Sequence, residues 1–539
     1  MDKLTHPRRT PTRVVAATAV ACLLLIIIAS QRTQERCRKN PLEQSCPSQE
    51  QSCVSREKLQ SFSSRNSNRH KSPPSPYLLS RLQEYEQHHK RCDPLSKPFE
   101  RTSQELVKVK NSPDSLIRKN EDLAQDCRYI VFTPGNDELA TTMLSLSSSF
   151  LYALLTDRVL LVDFDPSMLG LFCEPFRKST WLLPGEFTFR DRARSAEFRQ
   201  VFSLGNLMRK QNQKQDQKLQ ADTESLLLLY LSMDYDDHDK LFYRDETQEL
   251  LKNVPWLVLR SEQYFLPYFF LLPCFRTELD KLFPDDKETV FHHLGRYLFN
   301  PTNQAWGAIA RFYDDYLAKA EQRVGLEIKV GKPYETPPSI VLPHILKCIQ
   351  EESKILPRLQ QNNTTTRTTI LPSFRRKTSK VILVESLLPE FYSELKNMYS
   401  TRPIADGEGS VSVRVYRTSS HEGMQESERN YHNMKALVDV YLLSMCDVLV
   451  ISPFSTFGYV ASGLAGLNPW FLKNPGDYET KPLEPACRRA VSPEPCFLFH
   501  PGEYVPNAVH HCRGRLGPVP VILYCEDFVY GFKLGNLKC

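Results

Sequence analysis

The chain has 539 residues, of which 41% are hydrophobic and 24% charged, and its formal net charge at pH 7 is +6. These values exclude a wholly disordered chain, and the length exceeds what one hydrophobic core usually holds, so we expect two domains with appendages. Much of the positive charge lies in the first hundred residues without interleaved aromatic side chains, which disfavours nucleic acid as a partner.

An apolar segment near the N-terminus predicts a membrane anchor. Residues 14–30 are almost uniformly apolar and have basic residues on both sides. A bilayer-spanning helix needs about 17 to 25 residues, so this segment is just long enough. We predict a retained transmembrane signal-anchor with residues 1–13 as a cytosolic tail, and a cleaved signal peptide is the alternative. Residues 31–76 are polar and nearly free of aromatic residues, which predicts a flexible stem. The anchor orientation, with the N-terminus in the cytosol, predicts that the folded part lies in a lumen.

Cysteines and glycosylation sequons agree with a lumenal location. A cysteine cluster near the C-terminus comprises Cys487, Cys496, Cys512 and Cys525. Because the cluster contains no CxxC pair, we favour disulfides over zinc, although the sequence does not give the pairing. Asn362 and Asn363 each begin a glycosylation sequon in a threonine-rich polar loop.

The first folded half, predicted as 77–324, alternates strands with helices. We predict a helix that starts with the amphipathic segment 77–85 and ends near Cys92, helices at 143–155 and 306–323, and strands at 129–132, 159–162 and 256–259. Asp163 and Asp165 directly follow the second strand. A DxD pattern at this place is typical of metal-dependent sugar-nucleotide transferases, because carboxylate oxygens suit hard cations, and a plain turn into Pro166 is the alternative.

The second half, predicted as 325–539, repeats the same alternation. We predict strands at 325–330, 381–384, 411–416 and 447–451, helices at 341–353, 391–399, 432–445 and 459–467, and a loop at 356–379. The alternation in both halves predicts an α/β fold with two doubly wound sheets that face each other across a cleft.

The segment Ser452–Gly458 is a candidate phosphate-binding loop. It lies at the carboxyl end of a buried strand and before a helix, where open α/β sheets bind ligands and where helix N–H groups attract anions. The alternative is that Ser455 is an ordinary helix cap and Gly458 an ordinary small residue at a tight crossing.

Several segments together resemble the plant xyloglucan-type galactoside 2-alpha-L-fucosyltransferase family. The resemblance covers about residues 75–539. It rests on SPYLLSRLQEYEQHHKRC (75–92), FLYALLTDRVLLV (150–162), LFCEPF (171–176), FHHLGRYLFNPTNQAWG (291–307), HNMKALVDVYLLSMCDVLVISPFSTFGYVASGLAGLNPW (432–470) and PACRRAVSPEPCF (485–497). The resemblance implies two Rossmann-like domains of the GT-B type and an inverting, Golgi-resident enzyme that uses GDP-fucose and requires no metal.

The resemblance also assigns roles by position. It implies that the residues near the guanine nucleotide are Lys329, His432, Asn433, Ser455, Thr456, Phe457, Gly458 and Tyr459. Glu262, where the family has an aspartate, is our candidate general base. Two positions depart from the family: Lys329 replaces an arginine, and Glu138–Thr142 replaces a Gly-Leu-Gly-Asn-Arg loop.

We therefore expect a type II Golgi α-1,2-fucosyltransferase that acts on galactose in xyloglucan or arabinogalactan during cell wall biogenesis. One alternative is a weakly active or inactive paralogue that binds glycan or serves as a scaffold subunit, because of the two departures. Another is a metal-dependent glycosyltransferase that uses Asp163 and Asp165. The expected partners are GDP-fucose, the glycan acceptor and the membrane, and the sequence leaves open a homodimer or a complex with other glycosyltransferases.

Overall fold

Two mostly parallel β-sheets form the framework of the protein, one in each half of the chain. The computed structural model describes residues 53–54, 73–111, 127–135, 138–190, 193–213, 225–285, 287–329, 338–358, 376–399, 404–406, 409–418, 429–473, 484–499, 501, 522–528 and 530–536. The predicted anchor, most of the predicted stem and both sequons lie outside these ranges. None of the helices within them combines the length and apolar character that crossing a membrane requires.

The N-terminal sheet is parallel throughout and has the strand order β2-β1-β4-β3. Its strands are β1 Tyr129–Pro134, β2 Val159–Val162, β3 Leu226–Tyr230 and β4 Trp256–Ser261. Every residue of β1, β2 and β3 is buried, as expected for strands that helices cover on both faces. The described helices of this half are α1 Pro76–Arg91, α2 Lys97–Asn111, α3 Leu139–Leu155, α4 Ala196–Phe202, α5 Leu204–Gln213, α6 Asp245–Leu251, α7 Pro273–Leu282, α8 Val290–Leu298 and α9 Asn303–Phe312.

The C-terminal sheet has the strand order β11-β10-β9-β5-β6-β8-β7. Its strands are β5 Gln322–Ile328, β6 Arg376–Ser386, β7 Ile404–Asp406, β8 Gly409–Arg417, β9 Val448–Ile451, β10 Trp470–Leu472 and β11 Cys487–Arg489. The edge strands β7 and β11 are antiparallel to their neighbours, and the other pairs are parallel. The described helices are α10 Pro338–Lys347, α11 Pro389–Tyr399, α12 Arg429–Ser444 and α13 Thr456–Ala465, and a hairpin of β12 Ile522–Tyr524 and β13 Phe532–Leu534 follows.

A continuous hydrophobic core joins the two halves. It runs from the N-terminal sheet to α12 and α13 and includes Phe291, Leu437, Tyr441 and Leu464. A smaller core, which includes Val324 of β5, covers the opposite face of the C-terminal sheet. Burial of this extent stabilises the pairing strongly, since truncation of one such phenylalanine to alanine typically costs about 3–5 kcal/mol.

The crossing of α8 and α13 fixes the position of α13. A Cβ atom on Gly463 would lie 2.4 Å from Cδ1 of Phe291, so this contact requires a glycine. Arg296 Nε donates to the carbonyl oxygen of Leu464 at 2.9 Å, and His292 Nδ1 lies 2.9 Å from the same oxygen. These side chains cover the carboxyl end of α13, where carbonyl groups lack intrahelical partners. The N-terminal half thereby determines where the opposite end of α13 lies.

The structure confirms most predicted elements but moves several of their boundaries. Strand β2 has the predicted bounds, α12 lies within three residues of its prediction and β9 within one, whereas β5 is Gln322–Ile328 and not 325–330. The predicted helix 306–323 is too long, because Arg323 pairs within β5 and its Nε donates to Asp447 at 3.0 Å. The Glu138–Thr142 segment is not a loop, since α3 begins at Leu139. Strand β6 begins at Arg376, inside the predicted loop 356–379.

Disulfides form among the described cysteines, as predicted. They include Cys92–Cys127, Cys348–Cys487 and Cys496–Cys525. Two members of the C-terminal cysteine cluster are therefore bonded to each other, a third is bonded to Cys348 next to α10, and Cys512 lies outside the described residues. Thiols engaged in this way are not available as zinc ligands.

Candidate functional site

The candidate site lies at the carboxyl edge of the C-terminal sheet, where the neighbouring strands β5 and β9 end. Lys329 directly follows β5, and the donor loop, defined as Ser452–Ser455, directly follows β9. The loop leads into the N-terminus of α13, which begins at Thr456. A helix N-terminus at this edge presents N–H groups and a partial positive charge to an anion.

Ser455 is the cap of α13. Its hydroxyl accepts a hydrogen bond from Gly458 N at 3.2 Å and donates one to Glu327 Oε1 at 2.8 Å, and the residue is completely buried. Tyr459 N donates to the Ser455 carbonyl at 2.9 Å. Helix geometry leaves the amides of Thr456 and Phe457 without an intrahelical partner. Those two amides are therefore the candidate donors to an anion, whereas the Ser455 hydroxyl caps the helix.

Gly458 allows α13 to pack closely on the sheet. A Cβ atom at this position would lie 2.9 Å from Cβ of Ile451 and 3.2 Å from Oε2 of Glu327. Contacts that short require the neighbouring atoms to move. Gly458 is therefore a small residue at a tight crossing, as the alternative interpretation predicted.

Glu327 is a site residue that the sequence analysis missed. Its side chain is buried beneath the donor loop, where Oε2 accepts from Ser452 N at 3.0 Å and Oε1 accepts from Ser455. Burial raises the pKa of this carboxyl to about 7, against the effect of the two hydrogen bonds and of the nearby Lys329 charge. Its sequence signal was an acidic residue in the otherwise apolar end of a central strand.

Lys329 lies at the carboxyl end of β5, near the predicted end of that strand at 330. Its backbone N donates to Ser452 Oγ at 2.8 Å, and that hydroxyl donates to the Glu327 carbonyl at 3.2 Å. The side chain is exposed. Because β5 lies between β9 and β6, Lys329 follows a central strand of the sheet and not an edge strand.

Asp527, in the turn between β12 and β13, is a second residue that the sequence analysis missed. Its Oδ2 accepts from Phe454 N at 2.9 Å and from the Tyr459 hydroxyl at 2.5 Å. Burial raises the pKa of Asp527, and burial together with the adjacent carboxylate raises that of Tyr459. Phe454 has a φ of 57°, a left-handed conformation that is unfavourable for an aromatic residue. The C-terminal hairpin therefore holds the donor loop in a strained conformation, and no local sequence pattern indicates this long-range contact.

The other residues that the family resemblance assigns to the nucleotide have different surroundings. His432 is partly buried in the first turn of α12, which the βαβ topology places at the same carboxyl edge as Lys329. Asn433 instead contacts the N-terminal half, because its Nδ2 donates to the Ser167 carbonyl at 3.3 Å. Phe457 is partly buried against the shared core. Asn433 and Phe457 thus stabilise the framework around the site.

Glu262 lies at the carboxyl end of β4, in the N-terminal sheet. Its Oε1 accepts from Met233 N at 2.6 Å. A Cβ atom on Gly135, which follows the adjacent strand β1, would lie 1.9 Å from Glu262 Oε2. The missing side chain of Gly135 therefore makes the room that the glutamate occupies.

Asp163 and Asp165 are engaged by protein groups. Asp163 is buried, and its Oδ1 accepts from Arg190 Nε at 3.0 Å while its Oδ2 lies 3.8 Å from Arg194 Nη2. Asp165 Oδ1 accepts from Ser167 N at 2.9 Å, which closes a turn. The positive charge of the two arginines neutralises the carboxylate charge with which Asp163 would otherwise bind a divalent cation.

Comparisons with known proteins agree across both halves. Residues 44–505 match the family described as xyloglucan fucosyltransferase. A galactoside 2-alpha-L-fucosyltransferase of Pisum sativum is 40% identical over 496 residues, which cover 90% of this chain and 80% of that protein. One of Arabidopsis thaliana is 40% identical over 493 residues, covering 90% of this chain and 81% of that protein. The structure of an arginine-to-lysine mutant of Arabidopsis thaliana FUT1 in complex with GDP matches with a TM-score of 0.73 and 38% identity, over 90% of this chain and 96% of that one. This chain and that structure share an α/β fold with parallel sheets.

Proposed function

Because the chain belongs to the xyloglucan fucosyltransferase family, we propose that it transfers L-fucose from GDP-fucose in α-1,2 linkage to galactose in a cell-wall glycan. The observation that carries this proposal is that Lys329 and the N-terminus of α13 lie at the same edge of the C-terminal sheet, an arrangement that suits the diphosphate of the donor. A relative at 38% identity binds GDP. Xyloglucan and arabinogalactan are the acceptors to test.

The proposed domain arrangement is two Rossmann-like domains of the GT-B type, the second of which begins with β5 at Gln322, three residues before the predicted start at 325. The parallel order of both sheets supports it, because each carries its functional residues at the carboxyl edge. The C-terminal domain would bind the donor, and the N-terminal domain would present the acceptor.

In the proposed reaction, the galactosyl 2-hydroxyl oxygen attacks the anomeric carbon of fucose from the face opposite the diphosphate. The bond between that carbon and the phosphate oxygen breaks, its electron pair goes to the diphosphate, and GDP leaves. Negative charge on the departing diphosphate is stabilised by the Lys329 ammonium and by the amides of Thr456 and Phe457. These groups accelerate the reaction to the extent that they bind the leaving group more strongly than the bound donor.

The hydroxyl proton goes to a base, for which we propose Glu262 directly or through one water molecule. The bond from Met233 N and the space above Gly135 hold the glutamate at the carboxyl edge of the N-terminal sheet. Glu262→Gln should therefore lower kcat with little effect on GDP affinity. Glu262→Asp, which restores the residue type of the family, should recover part of the activity.

We further propose that the reaction requires no metal. The arginine contacts of Asp163 support this, because they occupy the carboxylate that a DxD metal site would use. Chelators should leave turnover unchanged. Loss of activity in a chelator, restored by manganese, would favour the metal-dependent alternative.

For location, we propose a type II Golgi membrane protein with a lumenal catalytic part. Support comes from the apolar segment 14–30 and from the disulfides, which form in oxidising compartments. Glycan on Asn362 or Asn363 should be removed by an endoglycosidase with a gain in gel mobility, and Thr364→Ala combined with Thr365→Ala should abolish that gain. An unglycosylated domain that protease reaches in intact microsomes would contradict the proposal.

The decisive experiment is turnover by the full chain purified in detergent. GDP release from GDP-fucose is followed with galactosylated xyloglucan, with arabinogalactan and without acceptor. We expect release that depends on one of the acceptors. GDP binding without turnover would instead favour the inactive paralogue. That alternative is suggested by the segment that stands where the family has a glycine-rich loop: the exposed acidic residue Glu138 followed by the buried first turn of α3.

A further inference from the structure

Four aromatic rings lie together beside the donor loop, and we call them the aromatic cluster: Phe454, Phe499, Phe528 and Tyr530. Phe528 is at the centre, with ring centroids 5.5 Å from Phe454, 6.5 Å from Phe499 and 5.7 Å from Tyr530. The outer three residues are 42%, 42% and 73% exposed, in the order Phe454, Phe499 and Tyr530. Large apolar side chains exposed together in this way mark a binding surface.

The aromatic cluster is held in a fixed position relative to the donor loop. Phe454 belongs to that loop, and its strained backbone is held by Asp527, the residue that precedes Phe528. The turn that carries Phe528 is closed by two backbone bonds, from Gly531 N to the Phe528 carbonyl at 3.0 Å and from Cys525 N to the Gly531 carbonyl at 3.1 Å. Cys525 is also bonded to Cys496. One braced turn therefore positions both the donor loop and the aromatic surface.

The aromatic cluster also extends toward the N-terminal half. The Tyr235 hydroxyl donates to the Phe499 carbonyl at 2.6 Å. Tyr235 follows β3 and so lies beyond the carboxyl edge of the N-terminal sheet. The surface thus lies between the donor loop and the half of the protein that we assign to the acceptor.

We propose that the aromatic cluster is an acceptor subsite that binds pyranose rings of a neutral oligosaccharide through their apolar C–H faces. The inference rests on the proposed function, because an attacking hydroxyl must come within about 3–3.5 Å of the donor's anomeric carbon, so the acceptor must lie beside the donor loop. The competing occupant is the guanine base. Three exposed rings spread around Phe528 offer more surface than one purine covers. The bond from the Tyr235 hydroxyl to the Phe499 backbone carbonyl brings this end of the cluster beside the N-terminal half, which favours the acceptor.

Two substitutions test the subsite in the full chain. Tyr530→Ala removes the most exposed ring, and Phe528→Leu keeps apolar bulk but removes the central aromatic face. Tyr524→Ala is the matched control, because Tyr524 is 58% exposed on β12 of the same hairpin but outside the aromatic cluster. The measurements are the KM values for acceptor and for GDP-fucose, together with saturation-transfer NMR of a galactosylated xyloglucan oligosaccharide in the presence of GDP.

We expect Tyr530→Ala and Phe528→Leu each to raise the acceptor KM about five-fold and to weaken the oligosaccharide NMR signal, with the GDP-fucose KM unchanged. Tyr524→Ala should match the wild type. A rise in the GDP-fucose KM alone would assign the rings to guanine and overturn the proposal, as would no change in either constant. If the wild type does not turn over GDP-fucose, the proposed function fails, and the NMR comparison of the same variants still decides the subsite. An oligosaccharide signal that is lost in both variants supports the subsite. A signal that is absent from the wild type, or equal in all the proteins, contradicts it.

Discussion

Glu327→Gln should make the stability of the protein less dependent on pH. A raised pKa means that the folded state binds the proton more tightly than the unfolded chain does. The stabilising contribution of this proton is therefore fully present below pH 4.5, the ordinary value, and is lost as the pH rises through about 7. The difference between these pKa values corresponds to about 3 kcal/mol, since one pH unit is worth about 1.4 kcal/mol.

The assay compares the free energy of unfolding of wild type and Glu327→Gln in denaturant at pH 5, 6.5 and 8. Glutamine mimics the protonated carboxyl: its oxygen accepts from Ser452 N and its amide donates to the Ser455 hydroxyl. Relative to wild type, the variant should gain up to about 3 kcal/mol between pH 5 and pH 8, and other titrating groups cancel in this comparison. A difference that stays constant across that range would show that Glu327 does not titrate there and would refute the reasoning.

Three further predictions concern the donor loop. Lys329→Arg should raise turnover of GDP-fucose about ten-fold, because a guanidinium can form two parallel hydrogen bonds with the diphosphate, and Lys329→Ala should lower turnover. Equal turnover of the wild type and both variants would remove Lys329 from the site. Ser455→Ala should lower the free energy of unfolding by about 1 kcal/mol with little change in GDP affinity. Thr456→Val keeps the backbone amide but removes a second donor, the side-chain hydroxyl, at the helix N-terminus, so it should weaken GDP binding measured by calorimetry without lowering stability. The reverse pattern would contradict the geometry of the cap. Asp527→Ala should cost about 1–3 kcal/mol of stability and weaken GDP binding, because the Phe454 amide and the Tyr459 hydroxyl lose their acceptor, and Asp527→Asn should cost less stability. Unchanged GDP binding in both variants would show that the hairpin does not act on the site.

Sequence patterns alone determined the order of the elements and the place of the donor loop. Short runs such as Val159–Val162 are buried on both faces of a parallel sheet, and such burial leaves an apolar signal that is independent of distant residues. The carboxyl end of β9 followed by a helix cap was likewise a local signal, and it sufficed to place Ser455 and Thr456 at the sheet edge, whereas Lys329 was assigned to the site by the family resemblance. The predicted boundary was wrong where helical spacing continued past the true end of the helix, as it does between Trp306 and Arg323.

Only the tertiary structure decided which of these residues are available to a ligand. It engaged the Ser455 hydroxyl with Glu327, directed Asn433 to the N-terminal half and surrounded Asp163 with arginines. It also brought Asp527 to Phe454 across 73 positions of sequence. The physical reason is that apolar periodicity depends on the burial of each element by itself, whereas a polar contact depends on which distant partner the packed helices and the C-terminal hairpin bring within hydrogen-bonding distance.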